Sequence, residues 1–575
     1  MVTSIRIDRN VPVEVRDGCV LAADIYCPAD GARHPAILFR TPYDKSTSGN
    51  SDYLNLVQAA HAGYAIVVQD VRGRFASAGE WRRENMFSVE GLDGFDTVEW
   101  IASQRWCDGN VGSAGGSYLA GLQWTTAMES PPHLKAMAPW MGITGPGMEP
   151  PPTGGAILLT VAMTATPMMA VDIANRLEQA GQDVTELRAA ILWAQSDPAE
   201  ALNFLPLKDI PFARFDHIRE TWNMRLNPPS ESEHARRQRF DRVQVPCFYA
   251  CGWYDIIEWA TFECYRAMRE QGGTPLARQG QHVLVGPWTH GQPIQYLGEM
   301  NFGAAAGPVG AQLTAHNLAF FDKYLCGKEI VIPVVRYFTM GRDSWQTAED
   351  WPLPQTAWQR FYLHSRGKAN TAEGDGVLNR DEPGTEPPDF YIYNPHTPVP
   401  SVGGRVIGSG VTPGPIDQSR IERRRDVLCY TSAELQEEVE VTGPLSIHLC
   451  AATSACDTDW TAKLVDVYPD GRAYNIVEGI KRASGRNLDG THQPVTPGEA
   501  YEYLVTMGDT SIIFRKGHRI RLEISSSNFP TFDRNMNTGN PIGEDARGIP
   551  ALQTVLHSTG HASYLDLPVI PRSAS

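Results

Sequence analysis

Compact apolar runs alternate with helix-like stretches in the first part of the chain. Residues 5–28 alternate apolar and polar side chains, which is typical of antiparallel strands at the edge of a sheet. Residues 36–41 and 64–69 are almost wholly apolar and predict buried strands, with a helical pattern between them at residues 53–62. This alternation of strands and helices predicts an α/β fold with a mostly parallel sheet.

The pattern changes after residue 140. Residues 141–155 are rich in Gly and Pro, and from residue 157 to about 222 the apolar positions recur at helical spacing. Sheet-like runs return at residues 243–250 and 281–287, followed by a helical pattern at 312–325. We therefore predict that a helical cap is inserted into the α/β domain.

Beyond residue 354 the chain contains many short strand candidates and no convincing helix. Asp-Gly and Pro-Gly turns separate these strands, a pattern that predicts a β sandwich or jelly roll. The predicted domains are an α/β domain in two parts (1–145 and 241–350), a helical cap (146–240) and a β jelly-roll domain (351–575).

Composition narrows the function classes. The 575 residues carry a formal net charge of −16 without a long basic run, which argues against binding to nucleic acid or to anionic lipid. No signal peptide is visible at the start, and no apolar run approaches the ~20 residues of a membrane helix. Ten cysteines are too dilute for a disulfide framework, and Cys247 and Cys251 have no nearby His pair to complete a metal site. We expect a cytoplasmic protein that needs neither metal nor cofactor.

Residues 110–124, NVGSAGGSYLAGLQW, carry the first candidate chemistry. A short run of small residues leads into Ser117 and then into a stretch that can open a helix. A strand, a sharp turn and a helix with serine at the turn are typical of the nucleophile elbow of α/β-hydrolases. The motif is not a full G-x-S-x-G, because Leu119 replaces the second glycine, and a purely structural turn is the alternative.

A serine nucleophile needs a base and an acid, which follow it along the chain in α/β-hydrolases. Asp255 comes after the strand-like run 243–250, and His290 comes after the run 281–287. Alone, such an Asp is usually a helix cap and such a His is usually surface. Their joint placement behind the serine favours a catalytic triad.

The sequence resembles the cocaine esterase group of serine hydrolases, which are relatives of the Xaa-Pro dipeptidyl-peptidases, α-amino-acid ester hydrolases and glutaryl-cephalosporin acylases. The resemblance covers nearly the whole chain. Its motifs are RTPYDK (40–45), QDVRGRFASAGEW (69–81), WCDGNVG (106–112), GGSYLAGLQW (115–124), GWYD (252–255), GPWTH (286–290), DTDWTAKLVDVYPDGRA (457–473) and SSSNFPTFDRNMNTG (525–539).

The resemblance implies an α/β-hydrolase fold with an inserted helical cap and a C-terminal β jelly-roll sandwich. It makes Ser117 the nucleophile, His290 the general base and acid, and Asp255 the carboxylate that orients His290. Tyr43 would supply an oxyanion-hole hydroxyl together with the backbone N–H of Tyr118. The family sandwich often joins two subunits, so a homodimer is expected.

One departure from the family concerns residue 120, where the esterase branch usually has glycine and this chain has alanine. We expect the elbow to form, with a narrower approach to the nucleophile. The amino-ester branch has an acid at this position and two adjacent acids before the strand that carries the catalytic Asp. Here Ala120 stands at the first position, and Glu231 and Glu233 are separated by Ser232, so a pocket for a substrate ammonium is poorly supported.

Apolar residues indicate the acyl site instead. Ile257 and Trp140 are the predicted substrate-binding residues, with Ile256, Trp253 and Trp259 as further candidates, although each could be core. The sequence favours hydrolysis of small carboxylic esters, aromatic ones included. An Xaa-Pro dipeptidyl-peptidase or amide acylase, and a binding protein with an inactive triad, remain the alternatives.

Overall fold

Two large β-sheets form the framework of the chain, which we call the N-terminal sheet and the C-terminal sheet. The computed structural model describes residues 4–47, 52–82, 88–142, 154–227, 239–408, 410–487 and 491–572. The first strands of the chain are β1 (Ile5–Glu14), β2 (Val20–Pro28), β3 (His34–Thr41), β4 (Ala65–Asp70), β5 (Cys107–Gly116), β6 (Leu134–Trp140), β7 (Cys247–Tyr254), β8 (Gln281–Thr289), β9 (Tyr296–Leu297), β10 (Met300–Asn301), β11 (Val335–Thr339) and β12 (Ser344–Ala348).

The N-terminal sheet has the strand order β1-β2-β4-β3-β5-β6-β7-β8-β11-β12, and β9 and β10 form a separate hairpin. All neighbouring pairs from β4 to β11 are parallel, whereas β1, β2 and β12 add antiparallel pairs at the two edges. The central strands are buried on both faces, which explains their nearly continuous apolar sequences. The predicted α/β class and mostly parallel sheet are confirmed.

Helices connect the parallel strands of this sheet. The helix predicted at residues 53–62 begins only at Leu56, because the Asn55 side chain caps it by accepting the backbone N–H of Gln58. Outside the inserted segment the helices are α1 (Leu56–His61), α2 (Val89–Ser103), α3 (Tyr118–Met128), α8 (Glu258–Gln271), α9 (Pro275–Gln279), α10 (Pro308–Ala311) and α11 (Leu313–Cys326).

A helical segment lies between β6 and β7, where the sequence predicts an insertion. It contains α4 (Leu159–Gln179), α5 (Thr185–Ser196), α6 (Pro198–Asn203) and α7 (Asp216–Leu226). Apolar residues of this segment form a buried cluster that includes Ala162, Ile191, Phe212 and Trp222. The segment also contacts the C-terminal part of the chain, since the backbone N–H of Ile157 donates to Asp533 Oδ1 at 2.6 Å.

The C-terminal sheet contains the remaining strands. They are β13 (Ala357–His364), β14 (Val377–Asn379), β15 (Asp389–Tyr393), β16 (Leu428–Thr431), β17 (Val439–Thr453), β18 (Asp459–Val467), β19 (Ala473–Arg482), β20 (Tyr501–Phe514), β21 (Arg519–Ser525), β22 (Ala551–Leu556) and β23 (Tyr564–Ile570). Their order is β15-β22-β17-β23-β13-β14-β16-β21-β18-β19, with β20 paired to β17. Among the described residues after 350, helical structure is limited to the 3₁₀ turns Ile421–Arg423 and Ala483–Gly485, in agreement with the predicted all-β region.

The two sheets meet where β11 approaches β20. Met340 forms an isolated bridge with Ile512, and the Ser511 hydroxyl donates to Thr339 Oγ1 at 3.0 Å. The indole N–H of Trp351 donates to Asp509 Oδ1 at 2.6 Å. This junction lies on the side of the N-terminal sheet that carries β7 and β8.

Within the described ranges, no helix combines the length and apolar character needed to cross a bilayer. All ten cysteines are free thiols, and Cys247 and Cys251 are buried, as the sequence indicates.

Candidate active site

Ser117 lies between the end of β5 and the start of α3, at a backbone conformation of φ 60° and ψ −123°. An L-residue adopts this region only under strain, as the serine of a nucleophile elbow does. The backbone N–H of Ser117 donates to the carbonyl oxygens of Trp140 and Met141, at 3.0 and 3.1 Å. These bonds hold the turn against the end of β6.

Small residues are required around this turn. Gly115 has φ +137°, and a Cβ there would lie 2.6 Å from Cβ of Leu119. A Cβ on Gly116 would lie 2.6 Å from Cε of Met141. Leu119 therefore fills the space above Gly115, which accounts for a turn of this shape without the second glycine of the motif.

The Ala120 methyl is buried against the turn that follows β6. Ala120 is fully buried, and a Cβ placed on Gly142 would lie only 2.0 Å from the Ala120 Cβ. The methyl thus packs against Gly142, just after β6.

Asp255 and His290 come from neighbouring parallel strands. Asp255 follows β7, His290 follows β8, and Nδ1 of His290 lies 2.9 Å from Oδ1 of Asp255. The same oxygen accepts the backbone N–H of Ile257 at 2.9 Å. Both side chains are buried, so the carboxylate fixes the orientation of the imidazole and leaves Nε2 as the reactive nitrogen.

The charge of Asp255 controls the protonation of His290. Burial lowers the pKa of His290, but the negative charge of Asp255 and the hydrogen bond between them outweigh burial. The net effect raises the pKa of His290 above its ordinary value of 6.5. The imidazole is thus a stronger base than a free histidine and can accept a proton from a nucleophile.

Met141 joins the serine turn to the histidine turn. Its carbonyl accepts the N–H of Ser117, and its Sδ accepts the N–H of Gly291 at 2.8 Å, next to His290. Met141 has φ +44°, an uncommon conformation for a residue other than glycine. The sequence analysis missed Met141, since a methionine after a strand carries no recognisable signal.

Tyr43 follows β3, and its ring makes an edge-on contact with the ring of Tyr118, with 6.2 Å between centroids. Because Tyr118 directly follows Ser117, this contact brings Tyr43 beside the elbow. Tyr43, Ser117 and the Asp255–His290 pair thus all lie at the carboxyl ends of parallel strands, and Met141 connects the pair to the serine turn. Open α/β sheets bind their ligands at this edge.

Two buried ionic groups hold the loop that carries Tyr43. Lys45 Nζ donates to Asp70 Oδ2 at 2.9 Å, and the Lys45 backbone N–H donates to Oδ1 of the same carboxylate at 2.8 Å. Arg74 Nε donates to the carbonyl of Pro42 at 3.1 Å, and Arg74 Nη1 donates to the carbonyl of Met169 in α4 at 2.9 Å. The motifs at 40–45 and 69–81 contain these residues, although their roles were not predicted.

The two predicted substrate-binding residues have different surroundings. Trp140 is buried, its indole N–H donates to Asn317 Oδ1 at 3.0 Å, and its ring stacks on Tyr53 at 5.4 Å. These are the contacts of a core residue beneath the elbow. Ile257 instead belongs to a small apolar cluster with Ile256, Trp259 and Ala260 of the catalytic side, Val161 of the helical segment and Ile407 of the C-terminal part.

Glu231 and Glu233 lie outside the described residues. Within the described ranges there is no group of three or more His, Cys, Asp or Glu side chains arranged to bind a metal ion. A cavity of about 430 Å³ lies between the helical segment and the C-terminal sheet, lined by Leu159, Leu226, Phe529 and Arg534 among others, and none of the predicted catalytic residues lines it.

Comparison with known proteins places this site in a family. Residues 17–292 match the family model described as X-Pro dipeptidyl-peptidase (S15 family), and residues 332–566 match that of the X-Pro dipeptidyl-peptidase C-terminal non-catalytic domain. The chain is 37% identical to the cocaine esterase of a Rhodococcus species over 98% of both proteins.

Solved structures share the fold over almost the entire chain. An aminopeptidase from a marine sediment archaeon of the Thaumarchaeota superposes with a TM-score of 0.80 at 23% identity, covering 99% of this chain and 97% of the other. An α-amino acid ester hydrolase superposes with a TM-score of 0.79 at 23% identity, covering 98% and 96%. On the full-length similarity to cocaine esterase and the two family models, the chain belongs to the X-Pro dipeptidyl-peptidase (S15) family of serine hydrolases.

Proposed function

We propose that this chain hydrolyses carboxylic esters through an acyl-enzyme formed on Ser117. The observation that carries the proposal is the placement of a strained serine turn, linked through Met141 to a buried and hydrogen-bonded His290–Asp255 pair. The similarity to a cocaine esterase over the full length supports an ester as the substrate.

In the first half of the reaction, His290 accepts the proton of the Ser117 hydroxyl as the oxygen attacks the acyl carbon. The tetrahedral oxyanion receives hydrogen bonds from the Tyr43 hydroxyl and from the Tyr118 backbone N–H. Collapse of this intermediate breaks the ester bond, and the imidazolium gives its proton to the departing alkoxide.

In the second half, a water molecule replaces the alcohol. His290 takes a proton from this water, whose oxygen attacks the acyl-enzyme, and the resulting oxyanion occupies the same hole. The imidazolium then returns the proton to Ser117 as the carboxylic acid leaves. Asp255 stabilises the imidazolium in both halves without accepting the proton.

The side chains around Asp255 favour an uncharged acyl group. Ile257 and its cluster offer an apolar wall to which three parts of the chain contribute. The buried carboxylate of Glu258 is already paired with Arg405 at 2.8 Å, so it is not available for a substrate ammonium. Ala120 supplies no carboxylate either. We therefore propose small esters, including those of aromatic acids, as substrates.

A peptidase or amide hydrolase is the second candidate, because the matching family model carries the description X-Pro dipeptidyl-peptidase. That activity requires a carboxylate that binds the free amino terminus of the substrate. Glu258, beside Asp255, does not fill this role, because it is paired with Arg405.

The surrounding segments complete the proposal. We propose that the helical segment is a cap over the site, since Met169 of α4 packs with Tyr118 and Tyr43 and is tied to Arg74. We propose further that the C-terminal sheet is a jelly-roll domain of a cytoplasmic homodimer. The free thiols support the compartment, and the family resemblance supports the dimer, for which light scattering is the test.

The test compares a series of nitrophenyl acyl esters with an Ala-Pro nitroanilide, for the wild type and for Ser117→Ala. We expect ester turnover that exceeds anilide turnover and that falls by about 10⁶-fold in the variant. Faster cleavage of the anilide would favour the peptidase. Turnover that persists in Ser117→Ala would contradict the proposed nucleophile.

A further inference from the structure

The loop that carries Asp255 is contacted from outside by a residue of the C-terminal part. Asp255 lies between Trp253, near the end of β7, and Glu258, the first residue of α8. Arg405 reaches this loop from a segment that precedes β16, far along the chain. Its guanidinium is buried together with the loop.

Arg405 contacts the loop on both sides of the carboxylate. Its Nε donates to the carbonyl of Trp253 at 3.1 Å, two residues before Asp255. Its Nη2 lies 2.8 Å from Oε2 of Glu258, three residues after Asp255. One planar cation therefore fixes the two ends of the short segment from which Asp255 projects, and a planar group with several donors is suited to this task.

The C-terminal sheet is shaped to hold this guanidinium. Nη1 of Arg405 donates to the carbonyl of Met507 at 2.7 Å, and Nη2 donates to that of Asp509 at 2.9 Å. The register of β17 with β20 shifts at these residues, which is the mark of a β-bulge, and the bulge presents both carbonyls to Arg405.

Gly508, between those two carbonyls, shows how closely the strand approaches the ion pair. It has φ +89°, and a Cβ there would lie 2.3 Å from Nη1 of Arg405 and 2.8 Å from Oε2 of Glu258. Only glycine fits at this position. The strand, its bulge and its glycine thus enclose the Arg405–Glu258 pair.

The partner carboxylate depends on Arg405. Burial raises the pKa of Glu258, and the positive charge of Arg405 opposes this rise. The backbone N–H of Asp509 also donates to Oε2 of Glu258, at 3.2 Å. Loss of Arg405 would leave a buried acid without its cation at the start of the helix that follows Asp255.

We propose that Arg405 is a positioning residue for the Asp255–His290 pair, supplied by the domain whose family description is non-catalytic. Arg405 acts through the loop: it holds Trp253 and Glu258 so that Asp255 keeps its alignment with Nδ1 of His290. This inference rests on the proposed function, because it assumes that Asp255 and His290 act in catalysis.

The test is Arg405→Lys, with Arg521→Lys as the matched control. Arg405 and Arg521 are both 8% exposed, and each pairs with a buried glutamate, Glu258 and Glu422 respectively. Arg521 is bonded to Glu422 and Thr431 within the C-terminal part, away from the Asp255 loop. For each variant, kcat, KM, the pH profile of kcat/KM and the thermal midpoint are measured with a nitrophenyl ester.

We expect Arg405→Lys to lower kcat by up to about 10²-fold at unchanged KM, the effect of a small displacement of catalytic groups. The acid limb of kcat/KM should move to lower pH, because a displaced Asp255 raises the pKa of His290 less. Arg521→Lys should lower the thermal midpoint but leave kcat and the acid limb in place. Equal behaviour of the two variants in kcat and pH profile would overturn the proposal.

A second variant separates alignment from charge compensation. Arg405→Met combined with Glu258→Gln removes both charges of the pair, so its thermal midpoint should recover relative to Arg405→Met alone, while kcat stays low. Recovery of kcat together with stability would show a purely structural pair and overturn the proposal. Ser117→Ala is measured in parallel, so that a failure of the Arg405 proposal can be distinguished from a failure of the proposed function. Loss of ester turnover in Ser117→Ala upholds the proposed function regardless of the result for the Arg405 variants.

Discussion

Nδ1 of His290 lies 2.9 Å from Oδ1 of Asp255, an oxygen that also accepts the backbone N–H of Ile257. The carboxylate is therefore fixed by its own loop before it orients the histidine. Its position does not depend on the substrate, and this preorganisation is what a triad needs for rapid proton transfer.

Asp255→Asn should lower kcat by about 10⁴-fold without unfolding the protein. The amide can still bind the Ile257 N–H through its oxygen, but it stabilises neither the correct tautomer of His290 nor the imidazolium. Ester turnover and the thermal midpoint of the same preparation provide the measurement. A loss of less than tenfold would remove Asp255 from the mechanism.

The pH dependence of kcat/KM should show an acid limb with a midpoint above 6.5. Asp255 raises the pKa of His290 above that ordinary value, and the protonated imidazole cannot accept the Ser117 proton, so activity falls as the pH drops through the raised pKa. The profile is measured with a nitrophenyl ester in buffers of constant ionic strength. A midpoint below 6.5 would mean that burial outweighs the charge of Asp255.

Tyr43→Phe should lower kcat by about 10²–10³-fold, as the loss of one oxyanion donor does in such sites. The edge-on packing of residue 43 on Tyr118 is kept, so KM and folding should change little. Tyr64→Phe is a suitable control, because it also removes a tyrosine hydroxyl, one that bonds Asp322 outside the site. Near-normal turnover of Tyr43→Phe would exclude its hydroxyl from the oxyanion hole.

Gly142→Ala should destabilise the protein by about 1–3 kcal/mol through overpacking against the Ala120 methyl. The double variant Ala120→Gly with Gly142→Ala should regain part of this loss, because it moves the methyl from one side of the contact to the other. Thermal midpoints of the two single variants and the double variant form a cycle that measures the coupling. Simple additivity would show that the two residues do not interact.

Much of the fold was predictable because its signals are local. Buried parallel strands leave continuous apolar runs, which predicted β3, β4, β7 and β8. The start of α1 was misplaced by three residues, because apolar spacing alone does not locate a cap such as Asn55. The jelly roll remains a prediction, since strand pattern alone does not specify how the strands pair.

Within the site, residues marked by local sequence motifs were predictable, whereas residues whose partners lie far away along the chain were not. Ser117 stands in a short motif, and Asp255 and His290 end strands whose carboxyl ends must meet at one edge of the sheet. Arg405 and Trp253 are 152 positions apart, and no local pattern marks either as a partner of the other. Met141 likewise acquires its role only from the position of β6 in the sheet, beside β5 and one strand away from β8.

The final strand, β23, lies between β17 and β13 in the interior of the C-terminal sheet, only a few residues from the end of the chain. This sheet can therefore close only after residues 564–570 have been made, long after those that bear Ser117, Asp255 and His290. The β20 carbonyls that hold Arg405 belong to the same sheet. The contacts of Arg405 with the Asp255 loop should therefore be among the last to form as the protein folds.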